Sequence, residues 1–189
     1  GVYCAKSNTV ILNDNNFDDN SYKRYAEVLV SKGIMDGYGG IFNPKYTMTR
    51  GEFVTYICRK LGISSTMNYF SDLSYGNQYF GAMNGAYEYG ILPPNWTNGA
   101  LVENKITIEE MIYITTRCYE INRNNPTQYG SSIFFQDKED ISAWAKNKIA
   151  VAAKIGLIPN DGLLYPTENA TREDAAYILF NLLDIEGIF

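Results

Sequence analysis

The stretch "KYTMTRGEF" occupies residues 45–53, and two related stretches follow it, "NKITIEEMI" at residues 104–112 and "NATREDAAY" at residues 169–177. All three contain a threonine followed three residues later by an acid. A threonine at the N-cap accepts a hydrogen bond from the amide of the third helical residue, and an acid at that position reaches back to the cap. Each stretch therefore predicts the start of a capped helix, and their repetition predicts three similar units.

Other elements precede each capped helix in a fixed order. An F-x-D element comes first, then a glycine followed by two apolar residues, then a loop rich in turn-forming residues. We align the F-x-D elements at residues 17–19, 70–72 and 135–137, which lie 53 and then 65 residues apart. The glycines Gly33, Gly90 and Gly156 are expected to end a first helix in each unit, at about residues 21–32, 76–89 and 141–155.

Each unit is therefore predicted to be a helix, a tight loop and a capped helix, in a mostly α fold. The units cover residues 17–63, 69–121 and 133–185, after an N-terminal segment at residues 1–16 and with linkers at 62–68 and 122–132. One such unit has too little surface to bury a core alone, so the three are expected to form one compact domain. The segment "TVILN" at residues 9–13 is expected to add an edge strand or to lie across the core.

Composition excludes several functional classes. The formal net charge is −5 and the sixteen lysines and arginines are scattered, which is unlike a nucleic-acid-binding surface. No stretch reaches the 18 or more apolar residues needed to span a bilayer, so we predict no membrane insertion. The chain opens with "GVYCAKSN" rather than with a basic segment and an apolar run, so we expect no secretion signal within it.

The chain contains no histidine, which excludes Ser-His-Asp and Cys-His catalysis and imidazole metal sites. Cys4, Cys58 and Cys118 lack the CxxC spacing of zinc or redox sites. Cys58 and Cys118 lie in predicted helices, where burial as small apolar side chains is favoured over a disulfide or a reactive thiol. The acidic run that begins at Asp14 lacks the glycine and the final glutamate of an EF-hand loop. We predict no metal and no cofactor.

With these elements in this order, the chain resembles three tandem S-layer homology (SLH) modules over about residues 17–185. The resemblance implies a pseudo-threefold spindle, in which the helices after the loops converge as a central bundle and grooves form between neighbouring modules. It also implies a secreted protein of the bacterial cell wall or cell surface. Its partner would be a secondary cell-wall polysaccharide, often one with pyruvylated amino sugars, bound noncovalently.

The family's usual candidate for the acidic sugar is the arginine that follows the threonine, which here gives Arg50 and Arg172. Ile108 replaces it in the middle module, so one of the three grooves lacks it. A guanidinium beside a helix N-terminus also suits a carboxylate on physical grounds, since it offers paired donors in a region of partial positive charge. The alternative is a structural role, with Arg50 paired to Glu52 or to an aspartate of a neighbouring module.

Four further residues are candidates for carbohydrate contact. Asp19 and Asp137 belong to the F-x-D elements, where capping of a helix or turn is the simpler role. Trp144 offers a flat apolar face to a pyranose ring, although a half-buried core tryptophan gives the same pattern. Tyr38 lies in a loop expected to face solvent. The loop tyrosines that best suit a wet surface are Tyr38, Tyr46 and Tyr165.

Two other functions compete with this interpretation. Adjacent acids occur at residues 109–110, 139–140 and 173–174, and a glycosidase uses two carboxylates. Neighbouring residues on a helix do not face each other, and acids favour first turns because of the helix dipole, so we predict no catalytic activity. A protein–protein adaptor at the cell surface is the alternative function, with Trp96 in the long middle loop as an exposed aromatic anchor.

Overall fold

The structure, a computed structural model, describes residues 10–124 and 130–189, and helices dominate it. Within these ranges the only extended pairings are isolated β-bridges, so the predicted mostly α fold is confirmed. A 3₁₀ turn covers Lys138–Asp140. The helices are α1 (Asn20–Ser31), α2 (Arg50–Leu61), α3 (Phe80–Glu88), α4 (Ile108–Asn122), α5 (Lys146–Lys154) and α6 (Arg172–Ile185). We call α1 with α2 repeat one, α3 with α4 repeat two, and α5 with α6 repeat three.

The predicted helix ends are largely confirmed. Thr49, Thr107 and Thr171 cap α2, α4 and α6, and each forms a complete capping box with the acid three residues later. Glycine follows each first helix in the left-handed region, as at Gly33 with φ 71°. The predicted starts of the first helices of units two and three, at residues 76 and 141, were wrong. Turns and bends occupy the preceding segments, so α3 begins at Phe80 and α5 at Lys146.

The three repeats meet in a closed ring of backbone hydrogen bonds. The N–H of Met48 donates to the carbonyl of Ala170 (2.9 Å), that of Ala170 to Ile106 (2.9 Å), and that of Ile106 to Met48 (3.1 Å). All three side chains are fully buried. Because each repeat donates to one neighbour and accepts from the other, the ring defines a pseudo-threefold axis, as the family resemblance implied.

The N-termini of the second helices are completed by neighbouring repeats. In α2, the N–H of Arg50 donates to the carbonyl of Asn104 (2.8 Å) and the N–H of Gly51 to that of Val102 (2.9 Å), both in repeat two. The first amides of α4 bond in the same way to the carbonyls of Glu168 and Pro166, and those of α6 to the carbonyls of Tyr46 and Pro44. These amides have no acceptor within their own helix, so no repeat is complete alone.

Helix packing follows the same cyclic order. Helix α3 packs against α2, α5 against α4, and α1 against α6, while α4 also packs against both α2 and α6. Each first helix therefore packs mainly on the second helix of the preceding repeat. The helix–loop–helix order of each unit is confirmed, but the pair that shares the most contact belongs to two different repeats.

Each junction between repeats contains a second contact, made by the second residue of α2, α4 or α6. In α2 this residue is Gly51, and an added Cβ there would lie 2.6 Å from the ring of Tyr79. In α4 and α6 it is a buried glutamate that accepts hydrogen bonds from the start of the next repeat. These bonds come from the N–H and O–H of Ser142 to Glu109 (2.9 and 2.6 Å) and from the N–H of Asp18 to Glu173 (2.9 Å).

An aspartate clamps the loop of each repeat. The carboxylate of Asp137 accepts from the N–H groups of Leu164 (2.9 Å) and Tyr165 (2.7 Å). Tyr165 has φ 54°, a left-handed backbone that is costly for a residue with a side chain. Asp72 makes the same two bonds to Ala100 and Leu101, and Leu101 has φ 45°. The clamps thus hold loop residues in an unfavourable conformation.

The clamp corrects our alignment of the first F-x-D element. In repeat one the loop amides, those of Phe42 (2.7 Å) and Asn43 (2.9 Å), are bound by Asp14. The element is therefore residues 12–14, with Leu12 buried where the other repeats have phenylalanine. Asp19 instead caps α1 by accepting from the N–H of Ser21 (2.7 Å). The sequence analysis missed this element because residues 12–14 are Leu-x-Asp, whereas a true Phe-x-Asp follows five residues later.

The remaining local predictions concern the N-terminal segment and the cysteines. Residues 10–13 form no strand and lie along α1, where the N–H of Leu12 donates to Glu27 (3.0 Å). Cys58 and Cys118 are free and buried as predicted, and burial raises the pKa of each thiol to about 12. Cys4 lies outside the described residues, as does part of the predicted linker at 122–132.

Replacing Asp137 by alanine is expected to destabilise the fold by about 1–2 kcal/mol, since two backbone bonds are lost at a partly exposed site. Partial burial raises the pKa of this carboxyl, but the hydrogen bonds from Leu164 and Tyr165 outweigh it and the pKa is lowered overall. The contribution is therefore present above the ordinary aspartate pKa and is lost as the pH falls through the lowered value.

Urea unfolding of the wild type and of Asp137→Ala at neutral and acidic pH measures this contribution. The stability difference should shrink on acidification. The exposed Asp161→Ala serves as the control and should change little at either pH. A variant as stable as the wild type at neutral pH would show that the loop does not need the clamp.

Candidate functional site

The junctions between repeats differ at the first position of each second helix. We name each junction a seam after that residue. The Arg50 seam joins repeats one and two, the Ile108 seam joins repeats two and three, and the Arg172 seam joins repeats three and one. The backbone contacts are equivalent at all three seams, so the side chains determine what each seam can bind.

At the Arg172 seam the guanidinium is held in a fixed position. Its Nε–H donates to the carbonyl of Phe42 (2.7 Å), Nη1 donates to the hydroxyl of Tyr56 (2.8 Å), and Nη2 donates to the carbonyl of Asp36. The group also lies over the ring of Phe42, 4.4 Å from its centroid. An arginine has five N–H donors, so these bonds leave two without a partner in the described part of the chain.

The Arg172 side chain lines an open cleft of about 470 Å³, which we call the Arg172 cleft. All three repeats contribute to it, and its principal side chains are Tyr38, Tyr46, Glu52, Tyr56, Tyr79 and Arg172. Tyr38 is 78% exposed. The cleft continues into a depression of about 280 Å³, where Arg59 pairs with Asp36 (2.8 Å) and lies over the ring of Tyr56.

At the Arg50 seam the equivalent arginine is enclosed. Its Nη2 lies 3.2 Å from a carboxylate oxygen of Glu110, and the side chains are 12% and 5% exposed. The ring of Trp96 covers the guanidinium at 4.3 Å and donates its N–H to the same oxygen (2.8 Å). The structure therefore pairs Arg50 with a glutamate of the neighbouring repeat, where the structural alternative considered from the sequence expected Glu52 or an aspartate.

The predicted exposure of Trp96 was wrong. Its side chain is only 8% exposed, because it packs over Arg50 and bonds to Glu110 instead of projecting from the long loop. The adaptor interpretation loses the aromatic anchor on which it was based.

The Ile108 seam is apolar. Here a pocket of about 230 Å³ is lined mainly by hydrophobic side chains, among them Ile108, Met111, Phe135, Leu163 and Ile178. Ile108 contributes no donor in the place where the other seams have a guanidinium. A carboxylate at this position would be stripped of water without a compensating charge, which is unfavourable.

The six predicted site residues do not form one site. Arg172 and Tyr38 line the same cleft, whereas Arg50, Asp19 and Asp137 have the structural partners described above. Trp144 is half-buried just before α5, and its ring contacts Tyr113 edge-on at 5.8 Å. Of the other loop tyrosines, Tyr46 lines the Arg172 cleft and Tyr165 belongs to the clamped loop.

Sequence reasoning did not place three of the six principal side chains, Glu52, Tyr56 and Tyr79, at the Arg172 cleft. Tyr56 and Arg59 are three residues apart on α2 and hence share a helix face, which was a detectable signal. Glu52 was assigned only as a possible partner of Arg50. Tyr79 comes from repeat two, and no local pattern places it beside an arginine of repeat three.

Of the six acids that suggested catalysis, four have structural partners, and Asp174 among them completes the capping box of α6. Glu109 holds Ser142, Glu110 holds Arg50, and Glu173 bonds to Asp18 and Lys45. Among residues 10–124 and 130–189 there is no cluster of three or more side chains suited to a metal ion. No helix in these ranges has the length and apolar character to cross a membrane.

Comparison with known proteins identifies the family. Residues 15–54 match the S-layer homology domain. The chain is 37% identical over 92% of its length to an amylopullulanase of Thermoanaerobacterium thermosulfurigenes, and 35% identical over 90% to the exoglucanase XynX of Acetivibrio thermocellus. An endoglucanase of Bacillus sp. strain KSM-635 is 27% identical over 96% of the chain.

Residues 15–54 therefore belong to the S-layer homology domain family, whose members are non-catalytic modules that anchor surface proteins to the cell wall. The chain spans only 10%, 16% and 20% of the three enzymes, respectively. The similarity is therefore to a part of each enzyme.

Replacing Arg50 by alanine is expected to destabilise the fold by about 2–4 kcal/mol, because Glu110 would remain buried without its cation. Chemical unfolding followed by circular dichroism measures the loss. The double variant Arg50→Ala with Glu110→Gln should lose less than the sum of the single variants, since it removes both charges. Additive losses would contradict a direct ion pair.

Proposed function

We propose that this chain anchors a secreted protein to the bacterial cell wall by binding a secondary cell-wall polysaccharide with acidic amino sugars, and that the Arg172 cleft is the binding site. The supporting observation is the state of Arg172. Its guanidinium is fixed by three hydrogen bonds, lines an open cleft and keeps two N–H donors without a protein partner in the described chain. A positioned cation with free donors beside solvent suits an anionic ligand.

The chemistry of the cleft favours a sugar-linked carboxylate, such as a pyruvate ketal. A guanidinium binds a carboxylate through parallel N–H bonds, which adds directional preference to charge attraction. The exposed rings of Tyr38 and Tyr46 offer flat apolar surfaces with polar edges, which suit the faces of neighbouring sugar rings. The net charge of −5 disfavours general attraction of polyanions, so recognition depends on this local site.

We infer that repeats two and three are also SLH modules, although the family match is limited to residues 15–54. The three repeats share the capping box, the aspartate clamp and the ring of backbone bonds. The proposed modules keep the boundaries 17–63, 69–121 and 133–185, with the first extended back to Leu12. A domain of this kind supplies attachment, and any catalytic activity would belong to other parts of a longer protein.

The proposal assigns different roles to the three seams. Arg50 is used to hold repeats one and two together through Glu110, and the Ile108 seam provides no cation. We therefore expect one acid-binding cleft, not three. Asp19, Asp137 and Trp144 are proposed to support the scaffold rather than to contact the sugar.

The variant Arg172→Ala is expected to lower affinity for purified wall polysaccharide by roughly 10- to 100-fold, as one or two charge-assisted bonds are lost. Isothermal titration calorimetry measures the change. Arg172→Lys should recover only part of the affinity, because an ammonium lacks the planar pair of donors. Arg123→Ala, at an exposed position near the far end of α4, is the charge-matched control and should bind normally.

Retention on wall sacculi stripped of protein separates glycan binding from the adaptor function. We expect the wild type to be retained and a folded Arg172→Ala variant to appear in the wash. Passage of the wild type into the wash would contradict glycan binding and favour a protein partner. Equal retention of the wild type and a folded Arg172→Ala variant would show that the glycan binds outside the Arg172 cleft.

A further inference from the structure

At each arginine seam, the arginine lies at the start of the second helix of one repeat, and the corresponding acid is the capping-box acid of the next repeat. This acid has a different environment at the two seams. At the Arg50 seam this acid is Glu110, which is neutralised by Arg50. The equivalent acid beside Arg172 is Glu52. Arg172 does not pair with it, because its bonds go to Phe42, Tyr56 and Asp36. Among the described residues, no lysine or arginine nitrogen lies within 4 Å of the Glu52 carboxylate.

Glu52 has unused capacity to accept hydrogen bonds. It lines the Arg172 cleft and is partly exposed. One oxygen accepts from the hydroxyl of Tyr46 at 3.1 Å, and the other accepts from the N–H of Thr49 at a long 3.4 Å. An ionised carboxylate offers about four acceptor positions, so about two of them remain available.

The negative charge of Glu52 acts on the cleft. Burial, and then the charge of Glu52, raise the pKa of Tyr79 to about 12, and the same two causes raise the pKa of Tyr46. The other acid in the cleft, Asp36, is paired with Arg59. An uncompensated acid beside the proposed anion site would repel an acidic ligand, unless donor groups of that ligand face it.

Building on the proposed function, we propose that Glu52 is a second ligand-binding residue of the Arg172 cleft. It accepts hydrogen bonds from hydroxyl or amino groups of the sugar whose acid is held by Arg172. The cleft then selects a sugar with a carboxylate on one edge and unsubstituted donors on another. Opposite charges at the two residues also fix the direction in which the sugar lies.

The variant Glu52→Gln tests this proposal through the sign of its effect. Glutamine is also accepted in a capping box, so α2 should keep its start, and thermal unfolding checks this. With polysaccharide released from purified sacculi, calorimetry should show affinity weakened roughly 5- to 20-fold, as charge-assisted bonds become neutral ones. An acid that only repelled the ligand would give tighter binding on removal. Unchanged or tighter binding overturns the proposal.

The variant Glu103→Gln is a matched control for charge alone. Glu103 is exposed and is not among the residues that line the cleft, yet its charge also contributes to the raised pKa values of Tyr46 and Tyr79. Its removal should leave affinity unchanged or slightly increased. A loss equal to that of Glu52→Gln would mean that no direct bond to Glu52 exists, and would overturn the proposal.

Two small sugars identify the donor. Muramic acid carries a carboxylate and a free amine, whereas N-acetylmuramic acid carries the carboxylate with the amine blocked. In NMR titrations, Glu52→Gln should weaken both equally if hydroxyls are the donors, and muramic acid more if the amine is. Failure of the proposed function gives a different result, because binding of the wall polysaccharide would then be the same in the wild type and in Arg172→Ala.

Discussion

The structure depends on the way in which the starts of α2, α4 and α6 obtain their hydrogen bonds. The first amides of a helix have no acceptor within it, and leaving them buried without partners is costly. Here the N–H groups of the first two residues donate to loop carbonyls of the neighbouring repeat. The threonine cap bonds to the third amide. Each repeat is thus both donor to one neighbour and acceptor for the other, and the arrangement is complete only when three repeats close the ring.

The side chains at the seams can differ because they are not needed to close the ring. Closure relies on backbone groups, on buried side chains near the axis such as Met48 and Ile106, and on the aspartate clamps. The side chain at the first helical position lies outside that framework. It forms a covered ion pair at Arg50, an apolar wall at Ile108 and the edge of an open cleft at Arg172. One scaffold therefore carries three chemically different surfaces.

The same bonds change the physical argument for arginine. From the sequence, we expected the N-terminal amides of α2 and α6 to bind an anion together with the guanidinium of Arg50 or Arg172. In the structure the amides at these N-termini are already bonded to carbonyls or to the threonine cap. What remains for a ligand at the Arg172 cleft is the guanidinium, the surrounding tyrosines and Glu52. Arg172 differs from Arg50 in the residues that the neighbouring repeat places around it. The ring of Trp96 covers the Arg50 guanidinium, whereas Phe42 and Tyr56 hold the Arg172 guanidinium at the edge of an open cleft.

The sequence by itself determined the capped second helices, the glycines that follow the first helices, the threefold repetition and the resemblance to the family, because capping boxes and terminating glycines depend on residues a few positions apart. It also identified Arg172 and Tyr38. The register of the first clamp was misassigned, since two aspartates, Asp14 and Asp19, offer similar local spacing. Only the tertiary structure decided that Arg50 is enclosed, that Trp96 is buried and that Tyr79 and Glu52 meet at the Arg172 cleft. Those outcomes depend on contacts between repeats, where residues far apart in the chain are brought together by ring closure and not by any local pattern.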